Sequence, residues 1–248
     1  MRHLVAILAL CLVATGLLSQ IGGQAVVGGK TVAGGGTAVN ITLNQFGGAG
    51  GTGGAGYVSG VLSMSSAFAT VAPGDLIVVG CSYSGVNDFT LATDTAGDTF
   101  VKDKEDTNAN LAVYHVLSTA GGSSFNAHCN VLADGAGSMI VADFSPSGRT
   151  LDTSALTNDT TSVGPPSVTI TAAQSGELTV NVCQNQVTVV QTAGANYVMV
   201  GNFPAAGTGT AFPIAMEYRA STPSGSGTAA FGQTTSSSAW ADIAVNFK

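Results

Sequence analysis

From residue 61 onward the chain reads as one short apolar stretch after another. Each is closed by Gly, Ser, Asp, Asn or Pro, and no window sustains a capped apolar period of 3.6 residues. This pattern constrains the fold more than any other feature. Residues 75–81 (DLIVVGC) are apolar on both faces, which predicts a central strand covered on both sides. Further strand-like segments fall at 110–117, 124–131, 138–144, 167–171, 177–183, 196–200, 213–219, 227–231 and 238–247. Turn chemistry such as Ala72-Pro73-Gly74-Asp75 separates them. Ten or more strands without helices predict an all-β fold, a two-sheet antiparallel β-sandwich.

The N-terminal quarter differs. Residues 1–25 have a short basic start, an apolar run and then small residues, the pattern of a secretory signal peptide with cleavage expected after Ala25. Residues 26–60 form a Gly-rich segment, and 15 of the chain's 34 glycines lie between 22 and 60. Within it residues 37–45 alternate, with Val39, Ile41 and Leu43 on one face, predicting a single strand between two Gly tethers. That strand either pairs with its own sandwich or acts as a donor strand in a neighbour. Residues 61–248 are expected to be the sandwich domain.

Composition narrows the partners. Seven basic residues face 14 acidic ones, a net charge of −7, so nucleic acid is excluded as an electrostatic partner. No apolar run after the signal is long enough to span a bilayer as a helix. Three cysteines follow the signal, Cys81, Cys129 and Cys183. In an exported chain parity allows at most one bridge within the molecule. An echo at an offset of 102 matches Gly74, Asp75, Leu76, Val78 and Cys81 with Gly176, Glu177, Leu178, Val180 and Cys183. It points either to two related halves or to a coincidence between two ordinary strands. On it rests the expectation of a Cys81–Cys183 bridge with Cys129 a buried thiol.

Residues 94–100 (DTAGDTF), 111–117 (LAVYHVL) and 120–125 (AGGSSF) resemble a jelly-roll-like β-sandwich domain common in bacterial secreted and surface proteins. That domain typically reads D-x-A-G-N-x-Y and later A-G-G-S-N. Residues 139–145 (MIVADFS), 151–153 (LDT) and 240–247 (WADIAVNF) resemble its later landmarks, so the likeness spans about 62–248. Asp98 stands where that pattern has Asn, and Asp143 where it has Glu. The resemblance implies a jelly-roll-like sandwich and no general catalytic assignment.

Candidate chemistry is sparse. His115 and His128 are the histidines after the signal, and Gly80-Cys81-Ser82-Tyr83-Ser84 lacks the final Gly of a nucleophile elbow. Gly48, Gly50 and Gly53 match a dinucleotide fingerprint by letters, without the strand and helix it requires. Asp94, Asp98, Asp103, Glu105 and Asp106 offer oxygen ligands of the kind Ca²⁺ takes, but not at EF-hand spacing, and a solvated hairpin flank is the expected reading. No metal site or cofactor is predicted.

The expected function is therefore non-catalytic: a secreted or cell-surface structural or adhesive protein. It would associate with itself or with an extracellular matrix or glycan, and N-terminal strand exchange would build a filament from it. The alternative is a carbohydrate-binding module using Trp240, Asp242 and Tyr218, with Trp240 exposed. A second alternative is a glycoside hydrolase using Asp143 and Glu217.

Overall fold

The computed structural model describes residues 41–52, 62–68, 70–83, 89–108, 110–118, 120–123, 125–131, 136–145, 148–159, 164–185, 190–203, 213–233 and 239–248. The expected signal peptide and Val39 lie outside the described residues.

The chain is all β. Its first eight strands are β1 (Thr42–Thr52), β2 (Leu62–Ala67), β3 (Leu76–Tyr83), β4 (Phe89–Asp94), β5 (Val101–Asp106), β6 (Leu111–Leu117), β7 (Asn126–Val131) and β8 (Ala136–Ser145). They form a large sheet in the order β1-β8-β3-β6-β5 and a small one in the order β2-β7-β4, all antiparallel. This is jelly-roll connectivity.

The remaining strands are β9 (Leu151–Asp159), β10 (Ser167–Ala172), β11 (Glu177–Asn185), β12 (Gln191–Thr192), β13 (Val198–Phe203), β14 (Ile214–Thr222), β15 (Gly225–Ala230), β16 (Gly232–Gln233) and β17 (Trp240–Phe247). Their large sheet runs β9-β17-β11-β14-β13, and the pairs β10-β15 and β12-β16 complete the half. Matching β1 to β9, β3 to β11, β5 to β13, β6 to β14, β7 to β15 with β16, and β8 to β17 superimposes one strand order on the other. The 102-residue echo is thus the trace of two jelly rolls built on one plan.

The two large sheets stack face to face. β1 lies against β13 and β5 against β9, the arrangement a pseudo-two-fold axis produces. Between them Leu76, Val78, Ile140 and Phe144 meet Leu178, Val180, Val182, Ile214 and Met216 in one apolar core. Phe144 meets Tyr218 edge to face at 5.3 Å. Gly80 sets how closely the sheets approach: a Cβ there would stand 2.7 Å from Val182 Cγ1 and 3.1 Å from Ile140 Cγ2. Packing to interior density leaves no room for that methyl.

Each large sheet therefore has a second buried face, inside its own jelly roll. This is why β3, β11 and β17 are buried along their whole length, as the doubly apolar 75–81 segment predicts. In the first half that interior is apolar, with Phe68, Ile77, Val79, Tyr114, Phe125, Met139 and Val141.

Two expectations change. The N-terminal strand runs from Thr42 to Thr52, so part of the Gly block expected as a tether is paired strand. β8 offers it a ladder that runs without a register shift from Gln45 to Thr52, and the missing side chain at Gly48 leaves space for the Phe203 ring, 2.5 Å from where a Cβ would sit. The strand pairs within its own chain, with Ile41 and Leu43 buried in the central core. The cysteine pairing also differs. Cys81 on β3 is bonded to Cys129 on β7 (Cα–Cα 6.1 Å), and Cys183 is a buried free thiol. Equivalent strands of two jelly rolls face two separate interiors, so Cys81 and Cys183 cannot meet. The bridge instead crosses between the two sheets of one half.

Candidate functional site

Along β11, Leu178, Val180 and Val182 point into the central core, so Thr179, Asn181, Cys183 and Asn185 point into the second jelly roll. On β14 the same alternation turns Ala215, Glu217 and Arg219 inward, and on β17 it turns Trp240, Asp242, Ala244 and Asn246 inward. The opposite wall is Val168, Ile170, Ala229 and Phe231, with Tyr197 beside it.

The ladders allow a position-by-position comparison with the first half. Val79 faces Tyr114 across β3–β6, and Asn181 faces Glu217 across β11–β14. Cys81 faces Met139, and Cys183 faces Asp242. Ile77 faces Val116, and Thr179 faces Arg219. At these positions one scaffold thus carries apolar side chains in one half and polar, carboxyl-bearing ones in the other.

Glu217 is fully buried. It accepts hydrogen bonds from Asn181 Nδ2 at 3.0 Å and from the Gly194 amide at 2.7 Å. Burial still pushes its carboxyl up to about 7. Gly194 is forced by packing, since a Cβ would fall 1.8 Å from the Ala230 carbonyl oxygen. Asp242 is also fully buried, without a hydrogen bond of full geometry among the described residues, and Asn181 is the polar side chain that acts on it. Burial and then the Glu217 charge hold its carboxyl far above the usual range. Burial also raises the Cys183 thiol, reinforced by the Asp242 and Glu217 charges. The Tyr197 hydroxyl is raised to about 12 by burial, with Glu217 adding to the effect and Arg219 opposing it.

A second carboxyl pair lies in the first half. Asn44 Nδ2 donates to Asp75 Oδ2 at 3.3 Å and to Asp143 Oδ1 at 3.1 Å. Gln45 Nε2 donates to Asp143 Oδ2 at 2.8 Å and to the Thr70 carbonyl. Asp143 is raised to about 7 by burial and by the Asp75 charge. This network ties β1 to β8 and to the loop before β3.

The expected site residues are redistributed. Trp240 and Asp242 do share a face, but the face is buried: β17 lies between β11 and β9 and is covered by β10, so Trp240 offers no exposed platform. Tyr218 points the other way, into the central core against Phe144. The carbohydrate trio is therefore split. Asp143 and Glu217 face opposite outer sides of the stacked sheets and cannot flank one glycosidic bond. The neighbour of Glu217 is Asp242, and that of Asp143 is Asp75.

The acidic stretch is engaged residue by residue. Asp94 Oδ1 accepts the Asp98 amide at 3.0 Å, Asp98 Oδ2 accepts the Ser118 hydroxyl at 2.9 Å, and Asp103 pairs with His115 at 2.5 Å. Lys102 pairs with Glu105 at 2.5 Å, and Asp106 Oδ2 accepts Asn158 Nδ2 at 2.7 Å. Among the described residues no group of three or more His, Cys, Asp or Glu is placed to hold a metal ion.

Sequence reasoning missed the grouping of Asn181, Asn185 and Glu217 with Asp242. The signal was present. Sliding β3 onto β11 sets Ile77, Val79 and Tyr83 against Thr179, Asn181 and Asn185 at inward positions. Compared with family models, with curated proteins and with solved structures, the chain matches none of them.

Proposed function

We infer that this is an exported structural protein of the bacterial cell surface that associates edge to edge with copies of itself. The observation carrying this reading is an asymmetry between the two sides of the stacked sheets. On one side β5 (VKDKED) lies against β9 (LDTSALTND), two edge strands with charged residues. On the pseudo-symmetric side β1 (TLNQFGGAGGT) lies against β13 (VMVGNF), and neither contains a charge.

Sheet edges present unpaired amides and carbonyls, and charge is the usual protection against pairing with another chain. The fold tolerates that protection on one side and omits it on the other. The uncharged side also carries Phe46 and Phe203 only partly buried. A second copy adding its own edge there would gain main-chain hydrogen bonds and cover those rings. The filament is then an edge-addition polymer, because exchange of β1 would first break its pairing with β8. Export is supported by the N-terminal leader pattern and by the Cys81–Cys129 disulfide, which persists in oxidising compartments.

Light scattering and negative-stain microscopy of the mature protein test this. Concentration-dependent assembly is expected, and the double variant Gly47→Lys, Gly51→Lys is expected to stay monomeric while remaining folded. A wild-type protein that is monomeric at every concentration, or one that forms particles only with an added matrix polysaccharide, removes the reading.

A further inference from the structure

Where the two large sheets meet, one set of pseudo-symmetric positions is apolar and its counterpart is ionisable. On the uncharged side, Val200 is the extra residue in a register shift of β13 against β14, and the nearby Tyr218 ring meets Phe144 of the other half edge to face at 5.3 Å. Val200 and Tyr218 both belong to the central core. On the charged side, the register shift of β5 against β6 falls at Asp103, and His115 meets Phe247 of the other half edge to face at 5.2 Å. The ladders match position by position. Val78 faces His115 as Val180 faces Tyr218, and Leu76 faces Phe144 as Leu178 faces Phe247. The scaffold thus accepts Val and Tyr at positions where the first half carries Asp and His.

The bulge brings the acidic side chain to the imidazole. Asp103 stands opposite no residue of β6, and its Oδ1 lies 2.5 Å from His115 Nδ1. The Asp103 side chain is 0% exposed and that of His115 12%. Ser154 on β9, in the second half, donates its hydroxyl to the Asp103 carbonyl at 3.2 Å, so this part of β5 is fastened to both halves. Asp103 Oδ2 is buried without a partner among the described residues. Burial raises the Asp103 carboxyl, and His115 opposes that rise.

The other charged groups around the pair are engaged elsewhere. On β9 the register with β17 turns Leu151, Ser154, Leu156 and Asn158 toward the central core, and none carries a charge. At the Phe247 end Lys248 pairs with Asp152 at 2.6 Å, and Arg149 donates to the Phe247 carbonyl at 3.2 Å. On β5 itself Lys102 pairs with Glu105, Asp106 accepts Asn158, and Lys104 is not among the groups acting on Asp103. Tyr114 on β6 points the other way, into the first jelly roll. The charge of Asp103 is therefore answered by His115. Imidazole is the side chain that changes charge between about pH 5 and pH 8. Protonated, it leaves this buried pair neutral overall. Deprotonated, it leaves one negative charge enclosed between the apolar faces of two sheets, which is costly.

We propose that Asp103 and His115 form a proton-operated fastening between the two jelly rolls, closed when the imidazole is charged and loosened on the β5–β9 side when it is neutral. The sign agrees with the raised Asp103 carboxyl. A group that holds its proton more tightly in the folded state lends stability at acid pH, and that stability is lost as pH rises. The fastening is independent of the edge-association reading, which concerns the opposite, β1–β13 side.

Hydrogen exchange of the mature protein tests this, read by mass spectrometry at about pH 5.5 and about pH 8 and corrected for the intrinsic pH dependence of exchange. Protection of β5 and β9 is expected to fall about tenfold or more between the two, relative to β1 and β13. His115→Gln, neutral at both pH values, is expected to show the looser β5 and β9 at both. The double variant Asp103→Val, His115→Tyr installs the second half's pair and is expected to stay folded and to lose the pH response. His128→Gln, away from the seam, is expected to keep it. Circular dichroism reports folding of each variant, and the wild-type and His115→Gln measurements decide the matter whether or not the double variant folds. Protection of β5 and β9 that is unchanged or rises with pH in the wild type, a response that survives His115→Gln, or one abolished by His128→Gln would overturn the proposal.

Discussion

Asp242 stands directly opposite Cys183 in the β11–β17 ladder, where the first jelly roll places Met139 opposite Cys81. The backbone relationship is the same, yet one pair closes a core and the other buries a carboxyl group. The difference predicts the sign of a substitution. Asp242→Met installs the first half's residue on a backbone that accepts it. Removing a buried carboxyl removes its desolvation cost, about 1–3 kcal/mol, provided the larger Met is accommodated as it is at Met139. Urea denaturation is expected to show a higher midpoint for the variant. A lower midpoint would mean that Asp242 contributes to stability through contacts the apolar residue cannot replace.

The disulfide gives a second prediction. Peptide mapping without reduction is expected to recover Cys81 joined to Cys129 and Cys183 as a free thiol accessible only after unfolding. The bridge closes a loop with a sequence separation of 48. Chain-entropy reasoning assigns such a loop about 4 kcal/mol. Cys129→Ala is expected to lose stability of that order, whereas Cys183→Ala costs far less. A recovered Cys81–Cys183 peptide would contradict the two-interior arrangement itself.

The buried carboxyls set the direction of pH dependence. Asp143 and Glu217 are each raised to about 7, chiefly by burial, and in the unfolded chain such groups ionise near pH 4. Between about 4 and about 7 the folded protein therefore holds protons that the unfolded chain has released. Stability is present at the acid end of that window and is lost as pH rises through it. Asp152 shifts the other way through Lys248, but that pair lies at the surface and counts for little. The urea midpoint is expected to be higher at pH 4.5 than at pH 7.5. Around Asp143 stand Asp75, Asn44 and Gln45, so Asp143→Asn is expected to flatten the slope by removing the charge that repels Asp75. A midpoint that rises with pH in the wild type would contradict this.

Much of the architecture is legible in the sequence because strand periodicity is a local property. The doubly apolar 75–81 segment reports two covered faces wherever it sits, and β3 is buried from end to end. The match between Gly74–Cys81 and Gly176–Cys183 likewise marks equivalent strands without any knowledge of their contacts. Alternation also groups Trp240 with Asp242 on one face of one strand.

What alternation cannot report is which second sheet covers a given face. That depends on contacts between residues far apart in the chain, and only the tertiary structure decides it. It puts Cys129 rather than Cys183 beside Cys81, turns Tyr218 toward Phe144 and away from Asp242, and sends Asp143 and Glu217 to opposite sides of the stacked sheets. It also joins Glu217 on β14 with Asn181 on β11 and Asp242 on β17, three residues from separate strands whose common surroundings exist only once the second jelly roll has closed over them.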